Sequence, residues 1–233
     1  MSFHEGLDDL GTYYQIRKVD GTTPILFIHG VGLDHSMWSP QTDFFKNQTT
    51  IVYDLIGHGY STCTQHEVNF EDFSYQIESL LQILRIQKVI IIGFSLGGLI
   101  AAHFSSTRKH YALKTVLFGT IFNRTDEQQK KAAERFINIQ ETYLNASQQL
   151  DRWFNQDYLS SHPDIAEKIA NILNNNNHDD FLKSYKLFAY FEDKLIEFKQ
   201  IEAETLVCTA KGDVGSTPDM TNQLGEIISN SKV

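Results

Sequence analysis

The sequence predicts an α/β fold, with a mostly parallel sheet and helices on both faces. Short apolar runs of strand length alternate along the chain with helical patterns, which is the order of repeated βαβ units. The apolar runs are continuous rather than alternating, as is typical of parallel strands buried on both faces. The 233 residues, 41% of them hydrophobic, are enough for one core with an insertion.

The elements follow in chain order. An early strand is predicted over 13–18. The runs predicted as buried strands are 24–28, 50–54, 88–92, 115–118 and 205–209. Residues 70–84 form a helical pattern, since Phe73, Ile77, Leu80, Leu81 and Leu84 recur at three- and four-residue steps. The small apolar segment 96–105 predicts a helix packed tightly on the sheet, and 218–228 predicts the last helix.

Composition changes between residues 121 and 200, which are rich in Gln, Asn, Lys and aromatic residues. This block predicts an inserted helical cap, with residues 1–120 and 201–233 forming the core. The run Asn174–Asn177 is predicted to be a solvated turn between cap helices. The cap shows no basic triad: Lys183, Lys186 and Lys194 are scattered. A strongly anionic substrate is therefore not expected.

Charge and composition exclude several classes of partner. The net charge of -9 argues against nucleic acid or an anionic membrane, and the longest apolar stretch, 89–98, is too short to cross a bilayer. Cys63 and Cys208 lack metal-type spacing, so neither a metal nor a cofactor is expected. The start has no basic and apolar leader pattern, so we expect a cytoplasmic protein. The sequence leaves the oligomeric state open.

The sharpest motif is Gly93-Phe94-Ser95-Leu96-Gly97, a G-x-S-x-G pattern between a predicted strand and a predicted helix. A turn this tight lifts the serine hydroxyl above the sheet and places a helix N-terminus behind it, which favours developing negative charge. A nucleotide-binding loop would need a lysine after its glycines, and none follows Gly97. Ser95 is therefore the candidate nucleophile.

Three other segments lie at predicted strand ends. His29-Gly30-Val31-Gly32 directly follows strand 25–28. A second turn, 54–61, reads D-x-x-G-x-G-x-S, in which His58 is predicted to be structural. The third, 211–218, contains Asp213, either as a catalytic acid or as the cap of the following helix, for which Thr217 is better placed. For His35, both a substrate contact and a solvated or capping role stay open.

Together these motifs resemble the α/β-hydrolase superfamily over positions 24 to 218. The run 30–41, with its Met37-Trp38-Ser39-Pro40-Gln41, is similar to 3-oxoadipate enol-lactonases and related small esterases. Carbon–carbon bond hydrolases and serine haloperoxidases share much of it, and both remain alternatives. The serine argues against haloalkane dehalogenases, which use Asp there.

The resemblance implies a mechanism and a substrate class. Ser95 would attack a carbonyl, the backbone N–H groups of Val31 and Leu96 would form the oxyanion hole, and Asp213 would orient a histidine. The implied reaction is hydrolysis of a small carboxylic ester or lactone, without a cofactor or metal.

The sequence departs from this pattern in one respect. The superfamily keeps its general base after the acid, whereas all nine histidines here precede Asp213: His4, His29, His35, His58, His66, His103, His110, His162 and His178. The expected explanation is that the sequence lacks its last strand and helix, with the histidine. Two alternatives stay open: His162 or His178 substitutes, or the protein is a non-catalytic member that binds small ligands.

Overall fold

The computed structural model describes all residues from 1 to 233 and contains one eight-stranded sheet. In chain order the strands are β1 (Ser2–Leu7), β2 (Tyr13–Lys18), β3 (Ile25–Ile28), β4 (Thr50–Tyr53), β5 (Val89–Phe94), β6 (Ala112–Phe118), β7 (Glu204–Cys208) and β8 (Ser231–Lys232). Their spatial order is β1-β2-β4-β3-β5-β6-β7-β8. β1 and β2 are antiparallel to their neighbours, and every later pair is parallel.

Nine α-helices accompany the sheet: α1 (Ser39–Phe44), α2 (Phe70–Ile83), α3 (Leu96–Thr107), α4 (Asp126–Thr142), α5 (Ala146–Trp153), α6 (Gln156–Ser161), α7 (Pro163–Asn174), α8 (His178–Ala189) and α9 (Pro218–Ile227). Local sequence sets their starts. Asn69 and Asp72 form a capping box at α2, as Thr125 and Gln128 do at α4. Thr217 caps α9 through the Met220 N–H, so Asp213 is not used as that cap. No helix is long and apolar enough to span a bilayer.

The predicted fold class is confirmed. All four residues of β3 and of β4 are buried, as the continuous apolar runs require. On α2, Phe73, Ile77 and Leu80 are fully buried, which is the predicted core face. α3 packs an almost wholly buried surface of small and aliphatic residues against β5 and β6. The core therefore lies between the sheet and these helices.

Two strand predictions need correction. The edge strand β1 is absent from the sequence prediction because its residues are mostly exposed and carry no apolar pattern. The expected absence of a last strand is corrected by β8, in which Ser231 and Lys232 pair in parallel with Thr205 and Leu206 of β7.

The segment between β6 and β7 contains α4 to α8. Phe136 and Ile139 of α4 pack against Phe181 and Tyr185 of α8, and Val31 of the core packs against this cluster. The asparagine run lies between α7 and α8 as predicted, but it is not merely solvated. Asn176 Nδ2 donates to the Gly32 carbonyl at 2.8 Å and so fastens the turn to the core.

Candidate active site

Ser95 is the single residue between β5 and α3, and its backbone is strained. Its φ of 55° and ψ of -115° are rare for a non-glycine residue. The Ser95 N–H donates to the Phe118 carbonyl at 2.9 Å, and the Ser95 carbonyl accepts from the N–H groups of Gly98 and Leu99. The hydroxyl makes no side-chain capping bond to α3. These backbone bonds hold the strained conformation and leave the hydroxyl free to react.

The glycines around Ser95 are required by close backbone contact. A Cβ on Gly93 would lie 2.1 Å from the Gly97 carbonyl oxygen. A Cβ on Gly97 would lie 2.3 Å from the carbonyl oxygen of Ile28 and 2.5 Å from that of His29. The first turn of α3 therefore rests directly on the carboxyl end of β3, which brings Ser95 next to the turn that follows β3.

That turn carries Val31, whose backbone N–H is one of the two predicted amide donors; the other, that of Leu96, lies on α3. A Cβ on Gly30 would lie 3.4 Å from Ser95 Cβ, so the two segments are adjacent. The Val31 N–H has no backbone acceptor. Leu96 is the first residue of α3, where an N–H has no acceptor within the helix. Two amides beside Ser95 are thus available to a ligand oxygen.

Two buried histidines, His29 and His58, hold the turn after β3 in place. His29 Nδ1 donates to the Gly30 carbonyl at 2.8 Å, and its Nε2 accepts from the Leu55 N–H at 3.0 Å. His58 Nδ1 donates to the Ile56 carbonyl, and its Nε2 accepts from the Gly32 N–H at 3.0 Å. Burial lowers the pKa of His29 to about 4 and that of His58 to about 3. Both rings are neutral and fully occupied, which supports the structural role predicted for His58.

His35 and Asp54 form a buried hydrogen-bonded pair. Asp54 Oδ1 accepts from both the backbone N–H and Nδ1 of His35, each at 2.7 Å. Burial lowers the pKa of His35, but the hydrogen bond and charge of Asp54 outweigh it and leave the pKa raised. For Asp54, burial raises the pKa, and the bond from His35 outweighs it and leaves the pKa lowered. His35 is therefore neither solvated nor a helix cap, and Asp34 performs the local capping.

Asp213 lies in the loop after β7, close to the tight turn at Ser95 between β5 and α3. Gly119 links the two, because a Cβ there would contact both the Phe94 ring and the Ser216 hydroxyl, at 3.1 and 3.4 Å. Asp213 Oδ1 accepts from the N–H groups of Gly215 and Ser216, and Oδ2 accepts from the hydroxyls of Ser216 and Thr209. These bonds from its own loop fix the orientation of the carboxylate.

No histidine in the chain hydrogen bonds to Ser95 or Asp213. His162 Nδ1 contacts the Tyr158 carbonyl at 3.1 Å, and its ring stacks on Tyr158. The His178 ring packs on Tyr143 with centroids 4.0 Å apart. The geometry thus gives no support to either histidine as a substitute base. No three His, Cys, Asp or Glu side chains converge as a metal site would need.

Apolar side chains of the segment between β6 and β7 pack over the turn after β3 and over Phe94. Leu33, Ile172 and Leu173 form one cluster with Phe94, the residue before Ser95, packed against it. A Cβ on Gly32 would lie 3.1 Å from Leu173 and 3.4 Å from Phe181, so α7 and α8 close over the turn.

The segment between β6 and β7 also contains three arginines whose charges act on one another. Arg124, Arg135 and Arg152 lie close enough for the charges of Arg135 and Arg152 to lower the pKa of Arg124, and for that of Arg135 to lower the pKa of Arg152. In both cases burial lowers the pKa further and is the larger cause. The expectation of no basic triad considered the lysines, whereas these arginines lie just before α4, on α4 and on α5.

Comparison with known proteins defines the class. Residues 23–233 match the family model for the alpha/beta hydrolase fold, and the chain belongs to that family. The predicted resemblance to enol-lactonases and related hydrolases is also confirmed, as the individual relatives show.

The chain is 28% identical over 203 residues to (E)-2-((N-methylformamido)methylene)succinate hydrolase of Acinetobacter baylyi, covering 86% of this chain and 76% of that protein. It is 25% identical over 154 residues to 3-oxoadipate enol-lactonase 2 of the same organism, covering 64% of this chain and 56% of that one.

Two solved structures share the fold. A hydrolase from Pseudomonas aeruginosa PA01 matches with a TM-score of 0.83 at 18% identity, covering 98% of this chain and 88% of its own. The enol-lactonase from Burkholderia xenovorans LB400 matches with a TM-score of 0.81 at 22% identity, covering 95% and 86%.

Proposed function

We propose that the protein is a serine hydrolase that cleaves a small carboxylic ester or lactone through an acyl-enzyme on Ser95. The observation that carries the proposal is the strained Ser95 backbone, with φ 55°, beside two free amides. Strain of this kind costs on the order of 1–3 kcal/mol and persists where the surroundings impose it, commonly at active sites. Relatives named as a succinate-derivative hydrolase and an enol-lactonase support the substrate class.

The proposed reaction has two stages, acylation of Ser95 and hydrolysis of the acyl-enzyme. Ser95 Oγ attacks the carbonyl carbon, and the carbonyl electron pair moves to the oxygen, which accepts hydrogen bonds from the Val31 and Leu96 amides. The oxyanion collapses, the bond to the alcohol oxygen breaks, and the acyl group stays on Ser95. Water then attacks the acyl-enzyme by the same route and releases a carboxylic acid.

Proton transfer needs a general base between Ser95 and the Asp213 loop. The base takes the Ser95 proton during attack and returns it to the leaving oxygen. In the proposal Asp213 orients an imidazole at this position. The Gly215 and Ser216 N–H groups hold the Asp213 carboxylate in a fixed orientation, which this role requires. None of the nine histidines in the chain is bonded there, which favours a second candidate function: a small-ligand binding protein that uses the fold without turnover.

A fluorophosphonate probe read by intact-mass spectrometry tests the proposal. We expect one adduct on the protein and none on the Ser95→Ala variant. Ser147→Ala removes an exposed serine of α5 and should label like the unmodified protein. Because imidazole in solution can replace a missing base, labelling should also be measured with and without added imidazole, with Ser95→Ala as the background.

The two candidate functions give different results. Labelling at Ser95, with or without imidazole, supports the hydrolase. Absence of labelling under both conditions, in a protein that still binds small ligands saturably, would establish the binding protein instead.

A further inference from the structure

The turn between α7 and α8 is hydrogen-bonded to the turn after β3. Asn176 Nδ2 donates to the Gly32 carbonyl at 2.8 Å. The same nitrogen lies 3.2 Å from the carbonyl oxygens of Ile172 and Leu173, in the last turn of α7. All three partners are carbonyl oxygens, so the amide nitrogen of Asn176, and not its oxygen, must face them. Asn176 therefore links the end of α7 to the turn after β3.

This link is shielded from water. Gly32 is buried, and a Cβ on it would lie 3.1 Å from the Leu173 side chain and 3.4 Å from that of Phe181, both of which are buried. A hydrogen bond is electrostatically stronger in such surroundings than in water, and a buried carbonyl that loses its donor is destabilising. Asn176 supplies the only hydrogen bond to the Gly32 carbonyl.

Residues 30–33 form a tight turn that contains one of the predicted amide donors. The Leu33 N–H donates to the Gly30 carbonyl at 3.2 Å, which closes a four-residue β-turn. Gly32, in the third position, has a φ of 78°, whereas Val31, in the second position, does not have a positive φ. This combination defines a type II turn. The turn leaves the Val31 N–H without a backbone acceptor.

The hydrogen bonds of this turn join its peptide groups into one chain. Asn176 donates to the carbonyl of the peptide group between Gly32 and Leu33. The N–H of that peptide group donates to the Gly30 carbonyl. The Gly30 carbonyl in turn belongs to the peptide group whose N–H is that of Val31. Each hydrogen bond in such a chain polarises the next by about 10–30%. Asn176 is therefore the first donor of a chain that ends at the free Val31 N–H.

Histidines hold the same turn from the other side. His58 Nε2 accepts from the Gly32 N–H at 3.0 Å, and His29 Nδ1 donates to the Gly30 carbonyl at 2.8 Å. Neither histidine bonds to the Gly32 carbonyl, which Asn176 alone holds. The orientation of the turn thus depends on contacts with the sheet side and on one contact with the segment between β6 and β7.

We propose that Asn176 is a positioning residue for the oxyanion hole, which fixes the Val31 N–H beside Ser95 while the turn between α7 and α8 packs on the turn after β3. The inference rests on the proposed function for the reaction at Ser95, but the effect of Asn176 on the turn does not require turnover. Preorganised donors stabilise an oxyanion because they need no reorganisation during the reaction. The segment between β6 and β7 therefore controls the reactivity of Ser95 as well as its access.

The first test measures fluorophosphonate labelling of Ser95, with added imidazole, as a function of probe concentration. Asn176→Leu keeps the approximate side-chain size and loses the donor, and we expect its maximal labelling rate to fall about tenfold. The probe concentration that gives half the maximal rate should change less than about twofold, because the lost interaction acts on the transition state. Asn176→Asp, with the same shape but no N–H group, should lower the maximal rate as well.

Asn177→Ala is the matched control. The Asn177 side chain caps α8 through the Asp180 N–H and makes no bond to the turn after β3. Its loss should lower the melting temperature, as the loss of a helix cap does, and leave the maximal labelling rate at the parent's value. If Asn176→Leu labels no more slowly than Asn177→Ala, Asn176 has only a structural role and the proposal is overturned.

Amide hydrogen exchange, measured by NMR, tests the coupling without any reaction. Loss of the Asn176 donor should raise the exchange rates of the Gly32 and Leu33 amides, which are hydrogen-bonded in the turn, by about tenfold or more. In Asn177→Ala these two amides should exchange as in the parent, since the turn keeps all its bonds. Unchanged exchange of both amides in Asn176→Leu would overturn the proposal, even in a protein whose Ser95 is labelled.

The outcomes for the two proposals are separable. No labelling of Ser95 in the parent, together with faster exchange in Asn176→Leu, would reject the hydrolase and retain the control of the turn by Asn176. Labelling of Ser95 in the parent, with neither labelling nor exchange altered in Asn176→Leu, would do the reverse.

Discussion

Replacing Gly97 with alanine should push the first turn of α3, next to Ser95, away from the end of β3 and the turn that carries Val31. The added Cβ would lie 2.3 Å from the Ile28 carbonyl oxygen and 2.5 Å from that of His29. Carbon and oxygen atoms that are not bonded need roughly 3.3 Å, so the first turn of α3 must move about 1 Å away from β3. Both contacts are to backbone, which cannot rotate aside as a side chain can.

These contacts determine the expected loss in the free energy of unfolding. Overpacking of this kind costs about 1–3 kcal/mol, and alanine returns up to about 1 kcal/mol of helix propensity. We expect a net loss of about 1–2 kcal/mol in the free energy of unfolding. The same 1 Å displacement moves Ser95 relative to the Val31 amide, and misplacement of that size can lower a reaction rate about 10²-fold.

The assay compares urea unfolding and fluorophosphonate labelling in Gly97→Ala and in Gly212→Ala. Gly212 is a matched control, since a Cβ there meets nothing within 4 Å and its φ is not in the left-handed region. The control should unfold and label like the parent. If Gly97→Ala also keeps the parent's stability and labelling rate, the inferred contact between α3 and β3 does not position Ser95.

Two further predictions concern buried titratable side chains. Acidification should destabilise the fold below about pH 6.5, because the folded pKa values of His29 and His58 are lowered from 6.5 to about 4 and about 3. Between about pH 6.5 and 4 the unfolded chain binds up to two more protons, so stability falls by up to about 2.7 kcal/mol per pH unit. A urea midpoint that stays constant from about pH 7 to pH 5 contradicts this. Asp54→Asn removes the buried carboxylate that accepts two hydrogen bonds from His35 and should cost about 3 kcal/mol. The exposed control Asp20→Asn should stay within about 0.5 kcal/mol of the parent in the same urea titration, and equal stability of the two variants would refute a stabilising pair.

Much of the candidate site could be predicted because its chemistry is local in sequence. The tight turn at Ser95 needs a strand, small residues and a helix in immediate succession. The five residues 93–97, between an apolar strand and a small-residue helix, are enough to predict it. The glycines at 93 and 97 show where backbones must touch, although only the structure identifies the carbonyls of Ile28 and His29 as the contacts. Continuous apolar runs predicted most strands, and helical periodicity predicted the core face of α2.

The sequence by itself determined the α/β class, the order of the motifs and the identity of the strained serine. These depend on neighbouring residues and on burial, which composition and spacing record. Tertiary structure alone decided that Asn176 fastens the turn between α7 and α8 to the turn after β3, and that His35 pairs with Asp54. Spatial proximity between such distant segments depends on how helices and loops pack, and it leaves no periodic signal in any one of them.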